Sequence, residues 1–278
     1  MIRIGSLFSG IGGFELGIES ACPGARTIWQ VEQNPFSQKI LKKHWPDAAL
    51  HSDVRHVGKH NLEPVDMLLG GFPCQDISVA GLGRGLYGEK SSLWFEMHRL
   101  ISELRPRIAI MENVPAVTFR GLSRILGSLS EIGYDAEWQI ISARQFGALH
   151  LRKRWFCVAY QSELSDRRRP SSDSDNKFRT EDKIQAGRQL PSLHDSQSRR
   201  RACGSFNSDS IRTQIWKTKT FGHYWHREAM PEPVLCRVAN GIPDRVARLK
   251  ALGNAIVPQC SEYIGYQLLK SGLIDDLI

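Results

Sequence analysis

Short apolar runs alternate with segments of helical periodicity from Ile2 to about Tyr160, the pattern of βα units around a mainly parallel sheet. "IRIGSLF" reads as a buried strand, "SGIGG" as a tight turn and Phe14 to Ser20 as a helix. A second strand, "TIWQVE", ends at Glu32, after which Asn34 can cap a helix that has Pro35 at its first position. "VDMLLGG" predicts another strand. Behind it Leu93, Met97, Leu100, Ile101 and Leu104 recur at helical spacing. "RIAIMENV" is a strand that runs into Glu112, and "RWFCVAY" is a late strand.

The pattern breaks after Tyr160. Between Gln161 and Ser210 only 9 of 50 residues are apolar, against 41% for the whole chain, so this stretch cannot build a core of its own. From Gln161 to Met230 there are 14 basic and 9 acidic residues, including "DRRRP" and "SRRR", followed by Trp216, Phe221, Tyr224 and Trp225. Arginines beside aromatics suit phosphates and bases, although a charged solvated insertion has the same composition. Ordered patterns return from Pro231, and "PQCSEYIGYQLLK" closes the chain as an amphipathic helix.

Composition narrows the function classes. The length of 278 residues suits one large domain with a smaller one, and a net charge of +8 suits a polyanionic partner. Cys22, Cys74, Cys157, Cys203, Cys236 and Cys260 form no CxxC pair and have no histidines at metal-ligand spacing, which argues against a zinc site or a disulfide framework. The N-terminus carries no long apolar stretch, and no run reaches the roughly 20 apolar residues of a membrane span. A reduced, soluble, cytoplasmic protein is expected, with no membrane partner.

Two places carry candidate chemistry. "FSGIGGFELG" lies between a strand and a helix, where open α/β sheets bind nucleotide-like ligands. The dinucleotide pattern GxGxxG fits Gly10 and Gly12 but then meets Glu15, so the NAD reading fails. Glu32 stands at the end of the next strand, where an acid can accept from ribose hydroxyls, and Asp53 in "SDVR" is available for an exocyclic amine. Together these features point to S-adenosylmethionine. The second place is "LLGGFPCQDISVAG". Most free cysteines are small buried hydrophobes, but Cys74 follows a strand end at the sheet's carboxyl edge, where a nucleophile fits better. Glu112 can serve there as a desolvated acid, and Arg152 and Arg154, two residues apart before a strand, can face an anion or a carbonyl oxygen.

At these residues the chain resembles the DNA (cytosine-5)-methyltransferases of the bacterial and phage type. The resemblance runs in order through "SLFSGIGGFELGIE", "VEQNPF", "SDVR", "GGFPCQDISVAG", "KSSLWFEMHRLI", "MENVPAV", "FGALHLRKRWFCVAY", "RVANGIPDRV" and "LKALGNAIVPQ". It implies that Cys74, held by Pro73, adds to C6 of cytosine, that Glu112 bonds or protonates N3, and that Asn113 supports the loop. Arg154, with Arg152 beside it, then contacts the base O2. Phe8, Ser9, Gly10, Gly12 and Gly13 resemble the cofactor turn, Glu32 the ribose ligand and Asp53 the adenine contact. Leu93 and Asn254 correspond to further cofactor-pocket positions, and Gln75 and Ser78 lie on the loop that closes over DNA. His150 stands where the family has a glutamine.

The fold implied is an α/β S-adenosylmethionine-dependent methyltransferase fold, a mixed, mostly parallel sheet with helices on both faces, plus a small target-recognition domain. Residues 1–160 and 237–278 are expected to form a discontinuous catalytic domain, with 161–236 as the recognition region and the last helix returning beside the first strand. The implied enzyme is a monomer that acts on double-stranded DNA and uses S-adenosylmethionine without a metal. A cognate restriction endonuclease is a further partner that the sequence leaves open. Two rivals remain: a tRNA cytosine-5 methyltransferase built on the same motifs, and a catalytically silent DNA-binding homologue.

Overall fold

A computed structural model of the chain describes residues 1–72, 93–167 and 245–278. Its elements are β1 (Ile2–Leu7), α1 (Gly13–Ala21), β2 (Ala25–Val31), α2 (Pro35–His44), β3 (Ala49–His51), β4 (Met67–Gly71), α3 (Leu93–Leu104), β5 (Ile108–Asn113), α4 (Val117–Arg120), α5 (Leu122–Glu131), β6 (Tyr134–Ser142), β7 (Lys153–Gln161), α6 (Arg245–Asn254) and α7 (Pro258–Ser271). The strands form one seven-stranded sheet in the order β3-β2-β1-β4-β5-β7-β6. β7 pairs antiparallel with both β5 and β6, and the other pairings are parallel. The sheet is thus mixed and mostly parallel, as the sequence leads one to expect.

Strands covered on both faces must be apolar on both, which is why β1, β4 and β5 read as nearly continuous hydrophobic runs. Leu68, Ala109, Met111, Trp155 and Cys157 face a core closed by Trp94, Met97, Leu100 and Ile101 of α3 and by Ile125 and Leu129 of α5. Ile4, Met67, Leu69, Ile108, Ile110 and Phe156 face the opposite core, closed by Phe14 and Ile18 of α1 and by Cys260, Ile264 and Leu268 of α7. Helices therefore cover both faces. Cys22, Cys157 and Cys260 are buried free thiols in this framework. Among the described residues no helix is long and apolar enough to cross a membrane.

Local signals account for the element ends. The Asn34 side chain accepts from the amides of Phe36 and Ser37 at 2.9 and 3.2 Å, and Pro35 opens α2 where its missing N–H costs nothing. β6 and α5 are among the elements that had no sequence expectation. β6 is an edge strand in which Tyr134, Ala136, Trp138 and Ile140 alternate with Asp135, Glu137 and Gln139, and α5 carries Leu122, Ile125, Leu126 and Leu129 at helical spacing.

The closing helix packs on α1 rather than directly beside β1. A Cβ on Gly17 would lie 2.1 Å from Ser261 Oγ, 2.2 Å from the Pro258 carbonyl oxygen and 2.7 Å from the Glu262 nitrogen. Only a residue without a side chain lets the two helix backbones meet there. We expect Gly17→Ala to destabilise the protein by about 2–4 kcal/mol, lowering Tm by roughly 5–10 °C in a thermal melt followed by circular dichroism. An unchanged melt would mean that α7 does not pack as described.

Candidate active site

Strand order reverses between β1 and β4, so the connections on either side diverge and leave a crevice at the carboxyl ends, where open α/β sheets hold ligands. Leu7 pairs with Gly70, and Gly71 with Glu112. The turn after β1, the exit from β4 and the end of β5 therefore lie side by side.

The turn after β1 is left-handed at Phe8, Gly10 and Gly12, with φ of 56°, 58° and 86°. A Cβ on Gly12 would meet the Trp45 ring at 2.2 Å, and one on Gly13 would meet the Ile256 carbonyl oxygen at the same distance. Trp45 is anchored by its indole N–H donating to Glu19 at 3.0 Å, and Glu19 also accepts from the Thr27 amide at 2.8 Å. Glu32, the first residue after β2, closes the turn: Oε2 accepts from the Gly10 amide and Oε1 from the Asn34 amide, each at 2.7 Å. The Gly10 N–H that a phosphate would use is already committed to a carboxylate. Each Glu32 oxygen retains a second lone pair for a hydroxyl. Asp53 follows β3 and accepts from the Arg55 amide at 3.0 Å, while Arg99 of α3 donates to the Val54 and Val57 carbonyls and holds that turn in place. Leu93 opens α3, half-buried against the same core. An acid with lone pairs to spare, beside a glycine turn whose Gly10 amide is already bonded, fits the nucleoside end of S-adenosylmethionine.

Beneath the turn lies a group that motif reading passed over. Glu15 is fully buried, accepts from Gln30 Nε2 at 3.1 Å, and its Oε2 has no partner; Ser9 Oγ bonds Ser6 Oγ at 3.0 Å beside it. Burial pushes its carboxyl above the usual range, against hydrogen bonds that favour the charged form. The signal was available, since Glu15 is three residues before the buried Ile18 on the stripe of α1 that faces the core.

The acid-bearing half of the site is built on β5 and β7. Glu112 pairs through Oε1 with Arg154 Nε at 2.9 Å, with side-chain exposures of 12% and 23%. Its Oε2 lies over Gly71, 3.2 Å from where a Cβ would stand. Burial pushes the Glu112 carboxyl up to about 7, with Arg154 and Arg152 pulling the other way. Asn113 is buried, donates from Nδ2 to the Phe72 carbonyl at 3.2 Å and accepts from the Val114 amide at 2.8 Å. It thus fixes the end of β4 one residue before Pro73. Phe72 is buried against Trp94, ring centroids 5.4 Å apart.

The structure separates the two arginines. Arg154 turns to Glu112, whereas Arg152, with φ of 30°, donates from Nη1 to the Gly253 carbonyl at 2.9 Å and from Nη2 to that of Ala255. These carbonyls flank Asn254, the exposed last residue of α6. His150 is also exposed. Pro73, Cys74, Gln75 and Ser78 lie outside the described residues, as does most of the expected 161–236 region. Among the described residues no cluster of His, Cys, Asp or Glu is arranged to hold a metal.

A seven-stranded sheet with a reversed strand beside its edge, a glycine turn at its switch point and an acid at the end of the second strand define an S-adenosylmethionine-dependent methyltransferase fold. The sequence profile of the C-5 cytosine-specific DNA methylase family matches residues 2–230, and the chain belongs to that family. It is 33% identical to the type II methyltransferase M.CviJI of Paramecium bursaria Chlorella virus IL3A over 56% of this chain and 42% of that protein. It is 32% identical to M1.ScrFI of Lactococcus lactis subsp. cremoris over 68% of this chain and 48% of that one. The chain thus matches about half the length of these relatives. The fold is shared with the Entamoeba histolytica methyltransferase EhMeth, at a TM-score of 0.51 and 19% identity over 58% of this chain and 53% of that one.

Proposed function

We propose that the protein transfers a methyl group to C5 of a flipped-out cytosine in a specific double-stranded DNA sequence, through an adduct between Cys74 and C6. The observation that carries this reading is the Glu112–Arg154 pair at the sheet edge, next to the β4 exit whose carbonyl Asn113 holds. The Cys74 thiolate adds to C6, with the electron pair moving to C5 and the charge that develops at N3 and O2 met by Glu112 and Arg154. A Glu112 carboxyl near neutrality can carry a proton to N3. S-adenosylmethionine, when bound, supplies the methyl group as an electrophile. Loss of the C5 proton and then of the thiolate restores the aromatic ring. The base must leave the stack to be reached, at a cost of a few kcal/mol, which the basic charge of the chain helps to offset.

Phe8, Ser9, Gly10, Gly12 and Gly13 would cradle the cofactor, with Glu32 on the ribose, Asp53 on the adenine amine and Leu93 and Asn254 lining the pocket. Gln75 and Ser78 belong to the loop that meets DNA. Residues 1–160 with 237–278 form the catalytic domain in this reading, and 161–236 read the target, the chain acting as a monomer inside the cell. Glu32→Ala is expected to weaken S-adenosylmethionine binding by about 10–100-fold in calorimetry; equal affinity would remove the ribose assignment.

The direct test is bisulfite sequencing of DNA from a host that lacks cytosine methylation and expresses this chain. Methylated cytosines in one recurring context establish the reaction and its target together. Soluble protein that binds the cofactor but leaves DNA unmethylated would reject the proposal, and methyl transfer to total RNA would then separate an RNA enzyme from a silent homologue.

A further inference from the structure

Arg152 has an unusual address. Its backbone is left-handed, a region that a non-glycine residue holds only when its surroundings impose it. Its guanidinium is bonded to the carbonyls of Gly253 and Ala255, and its Nε is buried with no partner. The segment it grips touches both halves of the crevice: the Ile256 carbonyl oxygen stands 2.2 Å from a Cβ position on Gly13, and Ile256 Cδ1 stands 3.5 Å from one on Gly71, over which Glu112 Oε2 also lies. Five residues after Ile256, within α7, Ser261 Oγ donates to the Gly13 carbonyl at 3.2 Å. Carbonyls have no charge of their own to hold them against the sheet, and two donors from one planar fork, one on each of two carbonyls, fix the short segment between them.

We propose that Arg152 is a positioning residue that clamps the connection between α6 and α7 onto the glycine turn, so that cofactor affinity depends on it while contact with the base belongs to Arg154. This rests on the cofactor reading above. An arginine facing the base or a phosphate would affect DNA binding; a clamp on residues 253–256 affects the cofactor.

The test uses the full chain as wild type, Arg152→Ala and Arg152→Lys, with two readouts. Hydrogen exchange of the amides from Gly253 to Val257, measured without ligand, is expected to accelerate in Arg152→Ala and less in Arg152→Lys, whose single ammonium can reach one carbonyl. Titration with S-adenosylmethionine is expected to show Kd raised about tenfold or more in Arg152→Ala, with partial recovery in Arg152→Lys and with DNA affinity unchanged. Unchanged exchange overturns the clamp whatever the cofactor does. Loss of DNA affinity with cofactor Kd unaltered overturns it in favour of a DNA contact. Failure of the wild type itself to bind S-adenosylmethionine overturns the cofactor reading, while the exchange result still decides whether the clamp exists.

Discussion

Cys74→Ser protein is expected to lose methyl transfer by at least about 10⁴-fold while binding S-adenosylmethionine as the wild type does. A thiol with an ordinary pKa near 8.5 supplies a workable fraction of nucleophilic thiolate at neutral pH, whereas a serine hydroxyl supplies almost no alkoxide. The cofactor contacts proposed for Phe8 to Gly13, Glu32 and Asp53 do not pass through Cys74, so affinity and turnover should part. DNA carrying 5-fluorocytosine gives a second readout. Its C5 fluorine cannot leave as a cation, so the wild-type adduct should survive denaturation on a gel, and the variant should form none. Turnover retained by the serine variant would rule out covalent catalysis.

Glu112→Gln is expected to slow the chemical step by about 10²–10⁴-fold with DNA affinity nearly unchanged. Glutamine keeps the shape and still accepts from Arg154 but has no proton to give to N3. The pH dependence follows from the raised carboxyl. If the protonated form is the active one, the rate constant should fall as pH rises through about 7, and the variant should lose that falling limb. Stability should fall over the same pH range. A carboxyl whose native pKa lies above its unfolded value holds an extra proton in the native state between the two, so stability is lost as pH rises from about 4 to about 7. Removing the buried carboxyl should therefore raise Tm at pH 8, by an amount corresponding to about 1–3 kcal/mol, and change it little at pH 4. A rate constant equal to wild type would reject Glu112 as the proton donor. A less stable variant would mean that the ion pair with Arg154 outweighs the burial.

These expectations rest on residues that differ in how far the sequence exposes them. The strands β1, β2, β4, β5 and β7 were legible because a sheet covered on both faces demands apolar runs, and those runs stop where the chemistry begins, at Phe8, Glu32, Phe72 and Glu112. Asn34 and Pro35 announced α2 through capping. α5 and the edge strand β6 were legible too but were passed over: Leu122, Ile125, Leu126 and Leu129 recur at helical spacing, and Tyr134, Ala136, Trp138 and Ile140 alternate with polar residues as a half-buried strand requires.

What the sequence by itself determined is the order of chemistry along the chain: a glycine turn, an acid one strand later, a cysteine after Pro73, Glu112 at a strand end and two arginines before the last strand of the first segment. Tertiary structure decided how these groups are shared out. Arg152 and Arg154, two residues apart, went to different partners because a left-handed backbone at Arg152 breaks the strand alternation that would have put both on one face. Glu15, read only as the place where a dinucleotide pattern fails, became a buried acid under the turn because α1 packs its face onto the sheet. Spacing along a chain specifies which groups are present and in what order. Burial and the direction of each hydrogen bond depend on contacts between residues far apart in sequence, such as Gly13 with Ile256 and Gly17 with Ser261, and exist only once the chain has closed on itself.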